Sequence, residues 1–261
     1  MLPSRKRTKI WNPSVVHKMS AMLRIILLLP LILLLVSPAK LQPPAPEIPT
    51  EAWPEFTVNY DPIEKVRLMF AVRKERSEDT PEKTLEMTAT AIYRIRPLVR
   101  NMLFNEEEND PEKKYALSLA VNYEYSRTFG PSSIDNEHRL MFDATPRYRI
   151  RGGFLIENRL RLEYRWKGDN SHDYWFRDRV RVERPMKIKN FRFSPFAYVE
   201  PMWTYNANAW NRNLLSAGSE IRLVRNRARL DVYFLRKNCD TCAFADVNAI
   251  GMNLHLFFGK R

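Results

Sequence analysis

The sequence predicts an all-β fold, an antiparallel up-and-down transmembrane β-barrel of about ten strands, with twelve as the alternative count. Three observations carry the prediction. Apolar and polar residues alternate with a period of two over one long segment after another, as in strands with one greasy and one polar face. Tight reversals alternate with long polar stretches. An apolar run typical of an export signal precedes them all.

The clearest alternation lies at residues 154–166. One parity gives Phe154, Ile156, Leu160, Leu162, Tyr164 and Trp166; the other gives Glu157, Arg159, Arg161, Glu163 and Arg165. The phrase Asn-Arg-Leu-Arg-Leu-Glu at 158–163 returns as Asp-Arg-Val-Arg-Val-Glu at 178–183 and as Asn-Arg-Ala-Arg-Leu-Asp at 226–231.

Before these strands, residues 25–36 are apolar except for Pro30, follow Arg24, and lead into Ser37-Pro38-Ala39. A basic start, a short apolar run and a small-residue exit read as a secretory signal peptide. The run is shorter than the roughly 20 apolar residues of a membrane-spanning helix. Residues 1–39 are therefore assigned to a signal peptide with a basic extension, and Met19 and Met22 are alternative starts. The chain carries a net charge of +13, and six basic residues precede Lys40 with no acid among them. A product cut there keeps 13 less 6, a charge of +7. That excess, spread over paired Arg and Glu, is no footprint for nucleic acid.

Residues 40–63 hold Pro43, Pro44, Pro46, Pro49, Pro54 and Pro62, a density that disfavours ladder and helix alike. They are read as a periplasmic leader, with a short strand or plug at 56–60. The barrel is assigned to residues 64–258. Its first strands set Val66, Leu68, Phe70 and Val72 against Arg67 and Arg73, then Leu85, Met87, Tyr93 and Ile95 against Glu86, Arg94 and Arg96. Next come strands at 115–126 and 139–150, the segment at 154–166, and strands at 176–188, 193–203, 214–225, 227–237 and 246–258. The segment holding Pro195 and Pro201 is the weakest match, with no clear facing. Most of these runs reach the 9–11 residues that a tilted strand needs to cross a bilayer.

Gly152-Gly153, Lys189-Asn190 and Asn226 mark tight reversals; 127–137, 167–173, 204–213 and 238–245 are long and polar. Short periplasmic turns and longer external loops alternate in this way in outer-membrane barrels. The 97–114 connector breaks the pattern, and 99–104, paired with 56–60, supplies the two further strands if the count is twelve. A soluble sandwich would turn the same charged parity to water. The long strands without covering helices, the export signal, and a last strand reading Ile250, Met252, Leu254, Leu256 and Phe258 in one parity favour lipid.

The repeated Arg/Glu phrase, the lone Trp53 near the mature start and the near-terminal Phe258 resemble a family of bacterial outer-membrane barrels catalogued only as a domain of unknown function. The resemblance covers roughly residues 53–258. It implies a barrel in the bacterial outer membrane and supplies no activity, ligand or catalytic residue.

The candidate site is a charge ladder inside the lumen, made of Glu157, Arg159, Arg161, Glu163, Arg177, Arg179, Arg181, Glu183, Glu220, Arg222, Arg227, Arg229 and Asp231. With two phrase-bearing strands antiparallel, alternating-sign pairs are expected to brace the wall. An arginine constriction selecting small anionic solutes is the sharper alternative. Cys239 and Cys242 are read as a local disulfide in an external loop. No metal or cofactor is expected, since His138, His172 and His255 are scattered and no nucleophile motif accompanies them. The acidic run Glu106, Glu107 and Glu108 reads as a solvated turn. The expected partners are outer-membrane lipid and the barrel-assembly machinery. The functional expectation is a structural wall protein or narrow pore and not an enzyme. A lipid or peptide hydrolase and a secreted soluble protein binding an acidic polymer stand as alternatives.

Overall fold

The structure, a computed structural model, describes residues 50–76, 83–95, 111–129, 136–150, 152–168, 171–225, 227–239 and 246–259. The expected signal peptide, the 99–104 strand, the acidic run at 106–108 and Cys242 lie outside them.

Twelve strands form one sheet: β1 (Thr50–Ile63), β2 (Val66–Arg76), β3 (Lys83–Ile95), β4 (Leu117–Phe129), β5 (Asn136–Ile150), β6 (Phe154–Lys167), β7 (His172–Glu183), β8 (Met186–Ile188), β9 (Phe191–Thr204), β10 (Ala209–Val224), β11 (Ala228–Cys239) and β12 (Val247–Gly259). A 3-10 turn at Pro111–Lys114 precedes β4. Sequence neighbours pair except for β7 and β8, where β9 reaches past the three-residue β8 to β7, and β12 closes the ring on β1. The closed barrel has eleven strands, and β8 is a short extra that extends the β7–β9 hairpin.

The ring of eleven lies between the expected counts of about ten and twelve, and it is odd. Strands that alternate in direction leave the first and last of eleven pointing the same way, so the seam between β1 and β12 is parallel in an otherwise antiparallel wall. The additional strand is β1, which begins at Thr50 in the stretch assigned to the leader. Pro54 is tolerated because β1 pairs with β2 only from Glu55 onward, leaving one side of the strand without a ladder there.

Connections alternate between two rims. Tight turns at residues 64–65, 152–153, 189–190 and 225–227 share one rim, with Gly152 and Gly153 in the positive-φ conformation that such hairpins need. The β3–β4 connection, which carries the 3-10 turn, belongs to the same rim, and the opposite rim, here the loop rim, carries the connections that follow β2, β4, β6, β9 and β11. They are shorter than expected because the strands run on into the polar stretches, β9 and β10 being separated only by residues 205–208.

The wall is apolar outside and polar inside. Leu162 is 60% exposed on the outer surface, whereas Glu163, the next residue, is 2% exposed and turned inward. Phe142, Val180, Phe234, Ile250 and Met252 are likewise exposed, while Arg67, Arg94, Glu86, Glu200 and Glu220 are among the most buried side chains. This is the distribution of a transmembrane barrel, and it excludes the soluble sandwich, whose charged faces would meet water. Asn158 and Asp178 are the polar exceptions on the outer parity of β6 and β7, and the Asn158 amide donates to the Asp178 carboxylate.

Two inward glycines flank Tyr233, Gly218 on β10 and Gly251 on β12. A Cβ at Gly218 would sit 2.4 Å from the Val232 carbonyl oxygen and 2.7 Å from the Tyr233 Cα, so backbone must move. At Gly251 it would meet only the far end of the Tyr233 ring. Gly218→Ala is expected to destabilise the barrel by about 2–3 kcal/mol and Gly251→Ala by less, measured as urea midpoints in lipid vesicles.

Candidate functional site

The lumen carries a 3-10 turn across one rim and an apolar cluster at the other, with a small chamber between. At the turn rim the 3-10 turn lies across the bore. The Lys113 ammonium donates to Glu183 of β7 at 2.6 Å and to Glu220 of β10 at 2.7 Å. On the other side Glu112 accepts from Arg67 of β2 at 3.3 Å and from Arg147 of β5 at 2.9 Å. Tyr115 donates its hydroxyl to Glu64 at 2.9 Å. Beneath the turn, Asp61 holds Arg67 at 2.9 Å and Arg94 at 2.6 Å. The connector that broke the short-long rhythm of the sequence thus supplies a plug.

At the loop rim part of the bore is filled by apolar packing. Trp53, Trp175, Met202, Leu214, Leu235, Val247 and Ala249 form a buried apolar cluster from six strands of the wall. The Trp175 ring also carries two guanidinium groups, Arg165 at 3.2 Å and Arg212 at 4.1 Å from its centroid. Such cation–π contacts gain strength away from water.

Between the closures lies a cavity of about 290 Å³, lined by eight arginines and three carboxylates among other groups. Cross-strand register gathers the arginines. Arg159 faces Arg179 and Arg161 faces Arg177, so like charges oppose one another where alternating-sign pairs were expected. Neutralisation comes from the neighbouring strands instead. Glu200 of β9, 0% exposed, accepts from Arg159 at 3.0 Å, from Arg177 at 2.5 Å and from Arg179. Asp143 of β5 takes Arg161 in a two-pronged contact at 2.7 and 2.8 Å.

The remaining candidates are placed as follows. Glu157 accepts from Arg147 at 2.6 Å, and Glu163 from Arg165 at 2.5 Å and Arg177 at 3.5 Å. Arg181 bonds Glu183 at 3.0 Å and Glu220. Arg229 reaches Glu220 at 3.3 Å and Asp231 at 3.0 Å. Arg222 pairs across the strands with Arg229. Arg227 is the exception: it has the expected parity but belongs to the β10–β11 turn, where its amide donates to Val224, and it is exposed beyond the end of the bore. Cys239 is disulfide-bonded, at the end of β11.

The histidines do not converge. His255 faces the lumen and bonds Asp231 at 3.0 Å. His138 stands on the outer parity, stacked on Trp166 at 5.3 Å and bonded to the Tyr123 hydroxyl at 2.7 Å. His172 is exposed at the start of β7. The wall separates His138 from His255, the two residues on which a hydrolase was weighed.

Sequence reasoning missed Glu200, Lys113 and Trp175; it placed Glu86, Glu124, Arg139 and Asp143 on the polar parity and counted Glu124 among the neutralising acids, but did not see that they organise this interior. Arg139 bridges Glu86 at 3.0 Å and Glu124 at 2.7 Å, and Arg73 also bonds Glu86. One signal was available. Glu200 is the sole acid on its strand, yet the prolines on either side obscured which way it faced.

The family described as "Protein of unknown function (DUF2490)" matches residues 110–248, more than half the chain. The chain belongs to this family. The match to DUF2490 runs from the plug through β11, and it contains Lys113, Asp143, the four opposed arginines, Glu200 and Glu220. Among solved structures, LpxR from Salmonella typhimurium is similar, with a TM-score of 0.41 and 8% identity over 74% of this chain and 83% of that one. No curated protein matches.

Proposed function

We propose that this DUF2490 protein is a closed barrel of the Gram-negative outer membrane, exported with a cleaved signal peptide, that acts as a structural wall protein and not as an open pore or an enzyme. One observation carries the reading. Lys113 stands in the bore tied to both Glu183 and Glu220, while the Trp53–Trp175 cluster fills the other rim. The apolar outer surface is the face for outer-membrane lipid, and β12, with Ile250, Met252, Leu254, Leu256 and Phe258 on that face, is the strand offered to the barrel-assembly machinery. No nucleic-acid partner is proposed; a small anionic solute is the one soluble partner that the lumen suits.

The test combines cell fractionation with gel migration and planar-bilayer recording. The protein is expected in the outer-membrane fraction, to migrate differently before and after boiling, and to leave the bilayer silent. Steady conductance with anion preference would replace the closed reading with the narrow pore.

A further inference from the structure

The closed lumen encloses more guanidinium charge than the wall needs. In a bracing network each strand should meet its neighbour with opposite signs, because like charges directly across a pair of strands are destabilising. Here two successive inward positions on β6 and β7 set arginine against arginine. The carboxylates beside them do not restore balance. Glu200 is shared by three arginines, Asp143 serves Arg161, and Glu163 is divided between Arg165 and Arg177.

Arg159 shows the surplus most clearly. Its single hydrogen bond runs from Nη2 to Glu200, and its buried Nε has no acceptor among the described residues. Arg179 and Arg181 are held over the rings of Tyr198 and Phe196 at 4.4 and 4.0 Å. Those two rings stack on each other at 12°. Each guanidinium is therefore fixed in plane, with one face given to an aromatic ring. All of these arginines line the cavity of about 290 Å³.

We infer that this chamber is a binding site for a polyvalent oxyanion: inorganic phosphate or sulfate, or a small phosphorylated or polycarboxylate solute. Planar guanidinium forks match the oxygen pairs of such ions and bind them by two parallel hydrogen bonds. An oxyanion between β6 and β7 supplies the charge that the facing arginines lack and an acceptor for Arg159. The volume equals roughly ten waters at about 30 Å³ each, room for a phosphate with a small organic body. The inference rests on the reading of the bore as closed at both rims. That closure also selects a soluble ion over a lipid headgroup, whose acyl chains would have to thread the lumen.

The test uses the full-length barrel, folded in detergent without phosphate or sulfate, and follows its melting by the heat-dependent gel shift. Sodium phosphate near saturation is expected to raise the midpoint by about 5 °C over sodium chloride of equal ionic strength. Arg159→Gln combined with Arg179→Gln is expected to abolish the rise and to melt no lower than the parent in chloride, since it removes opposed like charges. Arg159→Lys, which keeps the charge but loses the fork, is expected to reduce the rise and serves if the double variant fails to fold. Equal midpoints in phosphate and chloride for the parent would overturn the inference, as would an undiminished rise in Arg159→Lys. A rise produced by short-chain phosphatidic acid but not by inorganic phosphate would also overturn it, in favour of a headgroup site. Bilayer conductance bears on the closure alone: a conducting barrel that still binds phosphate leaves the site standing, and a silent barrel that ignores phosphate removes only the site.

Discussion

Glu200→Gln is expected to destabilise the barrel by about 3–5 kcal/mol, the scale of removing one partner from a buried charge cluster. The side chain is completely enclosed and is the common acceptor of Arg159, Arg177 and Arg179. Gln keeps the shape but removes the charge, and one amide oxygen cannot accept from three guanidinium groups. Arg159 and Arg179, opposed across β6 and β7, would then repel with nothing between them. Removing Arg179 in the same chain, as Glu200→Gln/Arg179→Gln, is expected to recover part of the loss, because neighbours in one network are not additive. The check is the urea midpoint of refolding into vesicles for the parent and each variant. A midpoint for Glu200→Gln equal to the parent's would show that Glu200 does not hold the belt.

The second large effect is on conductance. Clearing only the turn rim, with Glu112→Gly and Lys113→Gly, is expected to leave the bilayer silent because the Trp53–Trp175 cluster still fills the loop rim. Adding Trp53→Ala and Trp175→Ala is expected to give an open state that prefers anions, since arginines line the passage and arginine rings select anions. The plug can be removed without stranding charge. Arg67 keeps Asp61, Arg147 keeps Glu157, Glu183 keeps Arg181, and Glu220 keeps Arg181 and Arg229. The loop-rim residues are costlier to lose, so folding of the four-site variant is to be verified by the gel shift. Silence from a folded four-site variant would mean that the closures lie elsewhere.

Much of this architecture was legible in the sequence because the period of two is a local property. Leu160 and Leu162 face out, and Arg159 and Arg161 face in, whatever their strands pair with. Register is different. Whether Arg159 meets Glu183 or Arg179 depends on the length of the β6–β7 connection, and any shift by an even number of residues, here four, preserves the facing while changing the partner. Only part of β1 was legible, as the short strand or plug at 56–60; its start was hidden by composition, because Pro54 argues against a strand only where both sides carry ladders, and the sequence does not say which sides do. Lys113 was unreadable for a third reason. A polar connector looks the same whether it lies in water or reaches back into a bore, and only the acids Glu183 and Glu220, some 70 and 107 positions away, give it a place. Glu200 combined both difficulties, being an isolated acid between two prolines whose partners sit on other strands.

The central claim is the orientation of the wall, greasy side to lipid and charged side enclosed. Nitroxide labels on single cysteines at Leu160, Leu162, Phe234 and Ile250, and at the inward Ser126 and Met141, test it in vesicles by collision with oxygen and with a water-soluble nickel complex. The account predicts strong oxygen and weak nickel relaxation at the first four positions, and weak oxygen relaxation at the two inward ones. Nickel reaching Leu162 and Phe234 as readily as oxygen does, in protein that stays dissolved without detergent, would contradict it.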